Sequence, residues 1–237
     1  MRRVGILGGM GPQATILLMQ KVLDAVPASD DADHIPLIVD QNPQVPSRIR
    51  RLIEGVGEDP APVLADMARR LVAGGAEALA MPCNTAHHYA PDIRAAVKVP
   101  FLDMVDLSVT RAATLAGVDG TVGILASPAV RRIGLFDARL ARFGVRAAYP
   151  VDEDALLGAI RRIKATGAGP EAQAVLRAAS EGLLQRGACV QMIACTEFSL
   201  LSEATAAGTE AFDTLDVLVG AIRDFATGRG QSTSDAK

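Results

Sequence analysis

Leu79 to His88, LAMPCNTAHH, is a short apolar run that stops at a cysteine and turns at once into polar residues. Gln191 to Phe198, QMIACTEF, repeats the pattern. A brief apolar run bounded by turn or polar residues reads as a buried strand. Cys83 and Cys195 therefore each stand at a strand end, followed by Asn84-Thr85 and Thr196-Glu197, which offer side-chain oxygens and backbone N–H groups. If the two strand ends face each other, one pocket holds two thiols on opposite sides of whatever lies between them. That arrangement can invert a carbon centre.

Working outward, Val4 to Leu7 is another aliphatic run, ending in Gly8-Gly9-Met10-Gly11-Pro12, and Gln13 to Val26 then has helical spacing. Pro12 suits the first helical turn, and glycines let backbone approach a ligand. Unpaired N–H groups at that helix start favour an anion such as a carboxylate. His34 to Asp40 reads as a strand, followed by a Pro-rich segment with Arg48 just past it. Alone, Arg48 reads as a solvated charge or as a bidentate carboxylate clamp. Ala61 to Leu71 reads as a helix stopped by Gly74-Gly75, and Ala76 to Met81 as the strand that delivers Cys83.

The second half has the same grammar. Thr121 to Leu125 is a strand that runs into Ala126-Ser127-Pro128, as the first strand runs into its glycine loop and Pro12. Gly5-Ile6-Leu7 and Gly123-Ile124-Leu125 stand about as far apart as the two cysteines do, so an internal duplication is expected. Further helices are expected over 109–116, 132–143, 153–165, 171–186 and 213–225, with a strand over 145–149. Alternating strands and helices imply parallel sheets, whose ligands sit beyond the carboxyl ends of the strands. Both cysteines fall there.

Composition narrows the function classes. The chain has 237 residues, 49% of them hydrophobic and 22% charged, enough for a sizeable core. The net charge of −3, with both signs interspersed, offers no basic stripe for nucleic acid and no polybasic block for a membrane surface. No apolar run approaches the ~18 residues of a spanning helix, and the start of the chain carries no secretory pattern. Three cysteines, an odd count, fit reduced thiols in a cytoplasmic protein with a small-molecule ligand.

A thiol with a pKa of about 8.5 is little ionised at neutral pH, so a reactive one needs a cation or N–H donors nearby. With one thiolate and one thiol flanking an α-carbon, one removes the proton and the other returns one to the opposite face. Other readings compete. Cys83, His87 and His88 could ligate a metal, but no fourth ligand is evident; Cys83 and Cys195 could form a redox pair, but neither lies in Cys-x-x-Cys. A Cys83–His87 acyl-transfer site leaves Cys195 unused. A pyridoxal enzyme needs a Schiff-base lysine, for which only Lys164 has a plausible setting. Cys189, at the start of a strand, reads as an ordinary buried thiol.

GILGGMGPQAT (Gly5 to Thr15), MPCNTAH (Met81 to His87) and ACTE (Ala194 to Glu197) together resemble the cofactor-independent aspartate/glutamate racemase family, and the GGMGP form resembles its aspartate branch. The resemblance covers all but the tail. It implies an α/β protein of two pseudo-symmetric three-layer domains with parallel sheets, an active site in the interdomain cleft, no cofactor, no metal and a homodimer. The expected division is 1–99 plus 208–226, then 100–207, and the composition of 227–237 reads as a disordered tail. Carried over, the racemase bases are Cys83 and Cys195. Arg48 and Lys164 bind substrate carboxylates, Asn84, Thr85 and Thr196 surround the α-carboxylate, Met10 and Ser127 border the pocket, and His87 and Glu197 support it. The implied substrate is a dicarboxylic amino acid. Phe136 and Ser199 depart from the family pattern and bear on substrate size. A maleate cis-trans isomerase using Cys83 as nucleophile, and a non-catalytic dicarboxylate binder, are the alternatives.

Overall fold

The computed structural model describes residues 1–229. In chain order the first half contains β1 (Val4–Gly8), α1 (Pro12–Asp24), β2 (Leu37–Gln41), α2 (Arg48–Leu52), α3 (Ala61–Ala73), β3 (Ala78–Ala80), α4 (Ala90–Ala96) and β4 (Phe101–Leu102). The second contains α5 (Met104–Ala116), β5 (Thr121–Leu125), α6 (Pro128–Arg132), α7 (Asp137–Ala141), β6 (Arg146–Ala148), α8 (Glu153–Thr166), α9 (Pro170–Gln185), β7 (Val190–Ile193), β8 (Glu210–Asp213) and α10 (Thr214–Thr227). Two four-stranded parallel sheets result, ordered β2-β1-β3-β4 and β6-β5-β7-β8. The orders are the same, as the repeated motifs predict.

Strand periodicity builds three layers in each half. On β1, Val4 and Ile6 enter a core with α1 and α10, while Leu7 faces the α3 side. On β5, Val122 and Ile124 enter a core with α5 and α7, while Leu125 faces α8 and α9. A side chain at Gly5 would put its Cβ 2.8 Å from Leu79 Cδ2, and one at Gly123 would come 3.0 Å from Gln191 Cγ. These glycines pair in register with Leu79 and Gln191, on the two strands that lead to the cysteines.

Strand pairing shifts the expected boundaries at 99/100 and 207/208. β4 joins the first sheet beside β3, and β8 joins the second beside β7, because short edge strands are held by their neighbours rather than by their own pattern. Helix α10 returns to the first half, where Leu215, Leu218 and Ile222 are buried against β1 residues. Of the helix expected over 132–143 only 137–141 forms, as α7; α6 ends at Arg132, and Gly134, with φ +59°, lies in the turn between them. Cys189 is exposed rather than buried. Helix α10 runs through Thr227 to a left-handed Gly228 cap, so the expected tail cannot begin at 227. Residues 230–237, where the rest of that expectation falls, lie outside the described residues. No helix among the described residues is long and apolar enough to cross a membrane.

The first glycine loop is held by one buried side chain. Thr15 Oγ accepts the Gly9 N–H at 2.9 Å and donates to the Gly11 carbonyl at 3.3 Å. Gly9 has φ +92°, and a Cβ there would meet the Asn42 backbone at 2.4 Å. Gly9→Ala is therefore expected to destabilise the protein by at least ~1–3 kcal/mol, from left-handed strain before the clash is counted. Chemical denaturation of the variant at wild-type stability would contradict this.

Candidate active site

Cys83 follows β3 in a tight turn, with its N–H donated to the Met81 carbonyl at 2.9 Å. Its own carbonyl is gripped by His87. The Met104 N–H donates to His87 Nε2 at 3.2 Å, so the ring proton sits on Nδ1, which donates to the Cys83 carbonyl at 2.8 Å. Burial lowers the His87 pKa, against the opposing pull of Asp103, and the ring stays neutral. With both nitrogens committed, His87 braces Cys83 from behind.

Cys195 follows β7 in the same way, and its carbonyl accepts the Phe198 and Ser199 N–H groups at 2.8 and 3.3 Å. Its thiol donates to Glu197 Oε2 at 3.1 Å, and the other Glu197 oxygen takes the Lys164 ammonium. Burial and then the Glu197 carboxylate push the Cys195 pKa well up, with Lys164 opposing. For Lys164, burial disfavours the charge, but Glu197 and the two thiols outweigh it and the pKa is raised. Lys164 and Glu197 both pack against Gly11, so the second half's ion pair closes on the first half's glycine loop.

Between the halves lies a cavity of about 310 Å³, lined by both cysteines. Of the other residues singled out in the sequence, Met10, Arg48, Thr85, Ser127, Lys164 and Glu197 also line it. Asn84, His87 and Thr196 do not; each is buried behind the wall. Arg48 Nη1 donates to the Val45 and Pro46 carbonyls at 3.2 and 3.0 Å, which bends the Pro-rich segment around the guanidinium. Among the described residues it has no carboxylate partner. Ser127 caps α6 through the Ala129 N–H. The sequence reading did not single out Gln13, Ser47 or Ile160 on the lining. Gln13 and Ser47 adjoin Pro12 and Arg48, and that adjacency was the available signal; Ile160 lies four residues before Lys164 on α8, one helical turn away.

Such a site can hold a small anion beside two thiols, a guanidinium with no carboxylate partner among the described residues and a compensated ammonium. Its volume is at the lower end for small-molecule sites. The comparison with known proteins follows the same lines. Over 107 residues the chain is 35% identical to the broad specificity amino-acid racemase RacX of Bacillus subtilis, covering 44% of this chain and 46% of that protein. It is 29% identical over 150 residues to the glutamate racemase of Deinococcus radiodurans, covering 61% and 50%. These matches span about half the length of the curated relatives. Among solved structures, the Picrophilus torridus aspartate racemase superposes with a TM-score of 0.81 at 26% identity, over 96% of this chain and 95% of that one. A Francisella tularensis glutamate racemase in complex with D-glutamate gives 0.66 at 16% identity, over 100% and 86%, a likeness of fold alone. The match to the Asp/Glu/Hydantoin racemase family runs from residue 7 to 222, through both halves and both cysteine strands, and the chain belongs to that family.

Proposed function

We propose that this protein racemises a small acidic amino acid, aspartate first, by exchanging the α-proton between two thiols without pyridoxal phosphate. One observation carries the reading: Cys83 and Cys195, delivered from equivalent strands of two like halves, line one cavity. Arg48 takes one substrate carboxylate and Lys164 the other. Two cations and the single carboxylate on the lining leave an excess positive charge, which matches the net negative charge of aspartate with its ammonium. The hydrogen bond to Glu197 holds a proton on Cys195, so for one enantiomer Cys83 takes the α-proton and Cys195 returns one to the other face. For the opposite enantiomer the roles exchange. Chemistry on reduced thiols fits the reducing cytoplasm.

Pairing of Lys164 with Glu197 supports a second reading, in which Arg48 alone anchors amino acids with one carboxylate, as the name of the RacX relative would fit. Loss of optical rotation from L- and D-Asp, L- and D-Glu and a panel of neutral amino acids, in D₂O with no cofactor added, separates the two. We expect aspartate to racemise fastest. Total silence across the panel would remove both readings; conversion of maleate to fumarate would then identify an isomerase, and tight aspartate binding without turnover a binding protein.

Cys83→Ala and Cys195→Ala should each lower racemisation by at least ~10²–10⁴-fold, the usual worth of a positioned proton-transfer group. One enantiomer should keep α-proton exchange in each variant, because one thiol remains on one face. Wild-type racemisation in either would end the two-thiol mechanism.

Glu197→Gln removes the carboxylate that holds the Cys195 pKa up and releases Lys164, which pulls it down. The pH profile of Cys195 alkylation by iodoacetamide should therefore move to lower pH. An unmoved profile, read by peptide mass spectrometry, would show that Glu197 does not control this thiol.

A further inference from the structure

Behind the cavity, where neither sulfur points, the two cysteine loops are joined by one hydroxyl. Thr214, fully buried at the start of α10, donates to the Ile193 carbonyl at 3.0 Å, two residues before Cys195. Its single proton is spent there, so its oxygen acts as acceptor toward Asn84 Nδ2, also at 3.0 Å, next to Cys83. Asn84 Oδ1 is buried with no donor among the described residues, so Thr214 alone decides which way that amide faces. The preceding Asp213 adds a third link, accepting the Ser199 hydroxyl at 2.9 Å and the Leu215 N–H at 2.8 Å through Oδ1.

This junction stands where the chain passes from β8 in the second sheet to α10, which packs on the first. Two other polar bridges between the halves, Arg132 to the Ile53 carbonyl and Arg161 to Glu54 at 3.3 Å, are exposed, whereas the Met104 N–H to His87 Nε2 bond at 3.2 Å, from the first residue of α5, is buried. Exposed pairs of this kind hold geometry weakly, whereas a buried bond whose loss strands two polar groups holds it firmly. The Phe198 and Ser199 amides fix Cys195 within its own half, and His87 ties the Cys83 carbonyl to the Met104 N–H at the start of α5, which does not reach the Cys195 loop.

We infer that Thr214 is a positioning residue that sets the spacing of Cys83 and Cys195 across the substrate, by hydrogen-bonding the Cys83 loop through Asn84 and the Cys195 strand through Ile193. The inference rests on the racemase reading for its catalytic consequence, but the tie itself is structural. Inversion needs both sulfurs in reach of one carbon, whereas abstraction of the α-proton needs only one. Loosening the tie should therefore harm inversion more than exchange.

Thr214→Val keeps the shape and removes both bonds. Incubated with L-Asp or D-Asp in D₂O and followed by chiral separation and mass spectrometry, it should invert ~10–100-fold more slowly than wild type, the scale of a small misplacement of a reacting group. Deuterium should meanwhile enter the recovered starting enantiomer at a higher ratio to inversion. Thr214→Ser, which retains the hydroxyl, should restore the wild-type ratio. Exchange and inversion falling in parallel, or neither falling, would overturn the inference. Should Thr214→Val not fold, Asn84→Ala cuts the tie from its other end and must show the same change in ratio. Amide hydrogen exchange supplies a readout independent of turnover. Residues 84–87 and 193–199 should lose protection together in Thr214→Val, beyond any change in the central strands, and uniform loss or no loss counts against the tie. A wild type silent on every substrate but with this selective loss would sink the racemase reading and leave the tie standing.

Discussion

Two glycines govern how the cysteine strands are seated. Gly5 and Gly123 occupy equivalent places on the central strands, and each pairs with a long side chain on the neighbouring strand, Leu79 or Gln191. In both halves that side chain lies where a glycine Cβ would be, and helix residues, Leu71 in one half and Leu183 in the other, close over the same spot. Interiors are packed too densely to absorb an added methyl without movement. Any shift in β3 or β7 is passed along the strand to Cys83 or Cys195. The cleft thus inherits its geometry from packing well below it.

The halves are alike in topology and unlike in charge. Two residues beyond its cysteine, the first half has Thr85 and the second has Glu197, and both line the cavity. Among the described residues only Cys195 therefore has a carboxylate as hydrogen-bond acceptor, and burial with that neighbour holds it protonated. Lys164 balances Glu197 and touches the first half's glycine loop, so the same pair joins the halves at the mouth of the cavity. A duplicated scaffold has become a site with two distinguishable ends.

The strands and most helices are legible because their apolar patterns are local. The sequence reading misses what depends on neighbours. β8 is four residues long and exists through its pairing with β7. The break at Gly134 needs a positive φ that the surrounding helical pattern conceals. Asp213-Thr214 ahead of an apolar helix is a readable capping signal, yet nothing local shows that the Thr214 hydroxyl joins two distant loops. Asn84 and Thr196 sit beside the cysteines in sequence, but adjacent residues on a turn point in different directions, and theirs is away from the cavity.

By itself, the sequence determined that this is a duplicated α/β chain with a thiol past one strand of each half, since apolar periodicity and strand-end residues are properties of short segments. Only the tertiary structure decided that the two thiols share a cavity with Arg48 and Lys164, that Glu197 holds the second thiol and the lysine at once, and that α10 ties the halves together behind them. Those outcomes depend on distances between residues far apart in the chain, and such distances are set by how two packed sheets close against each other.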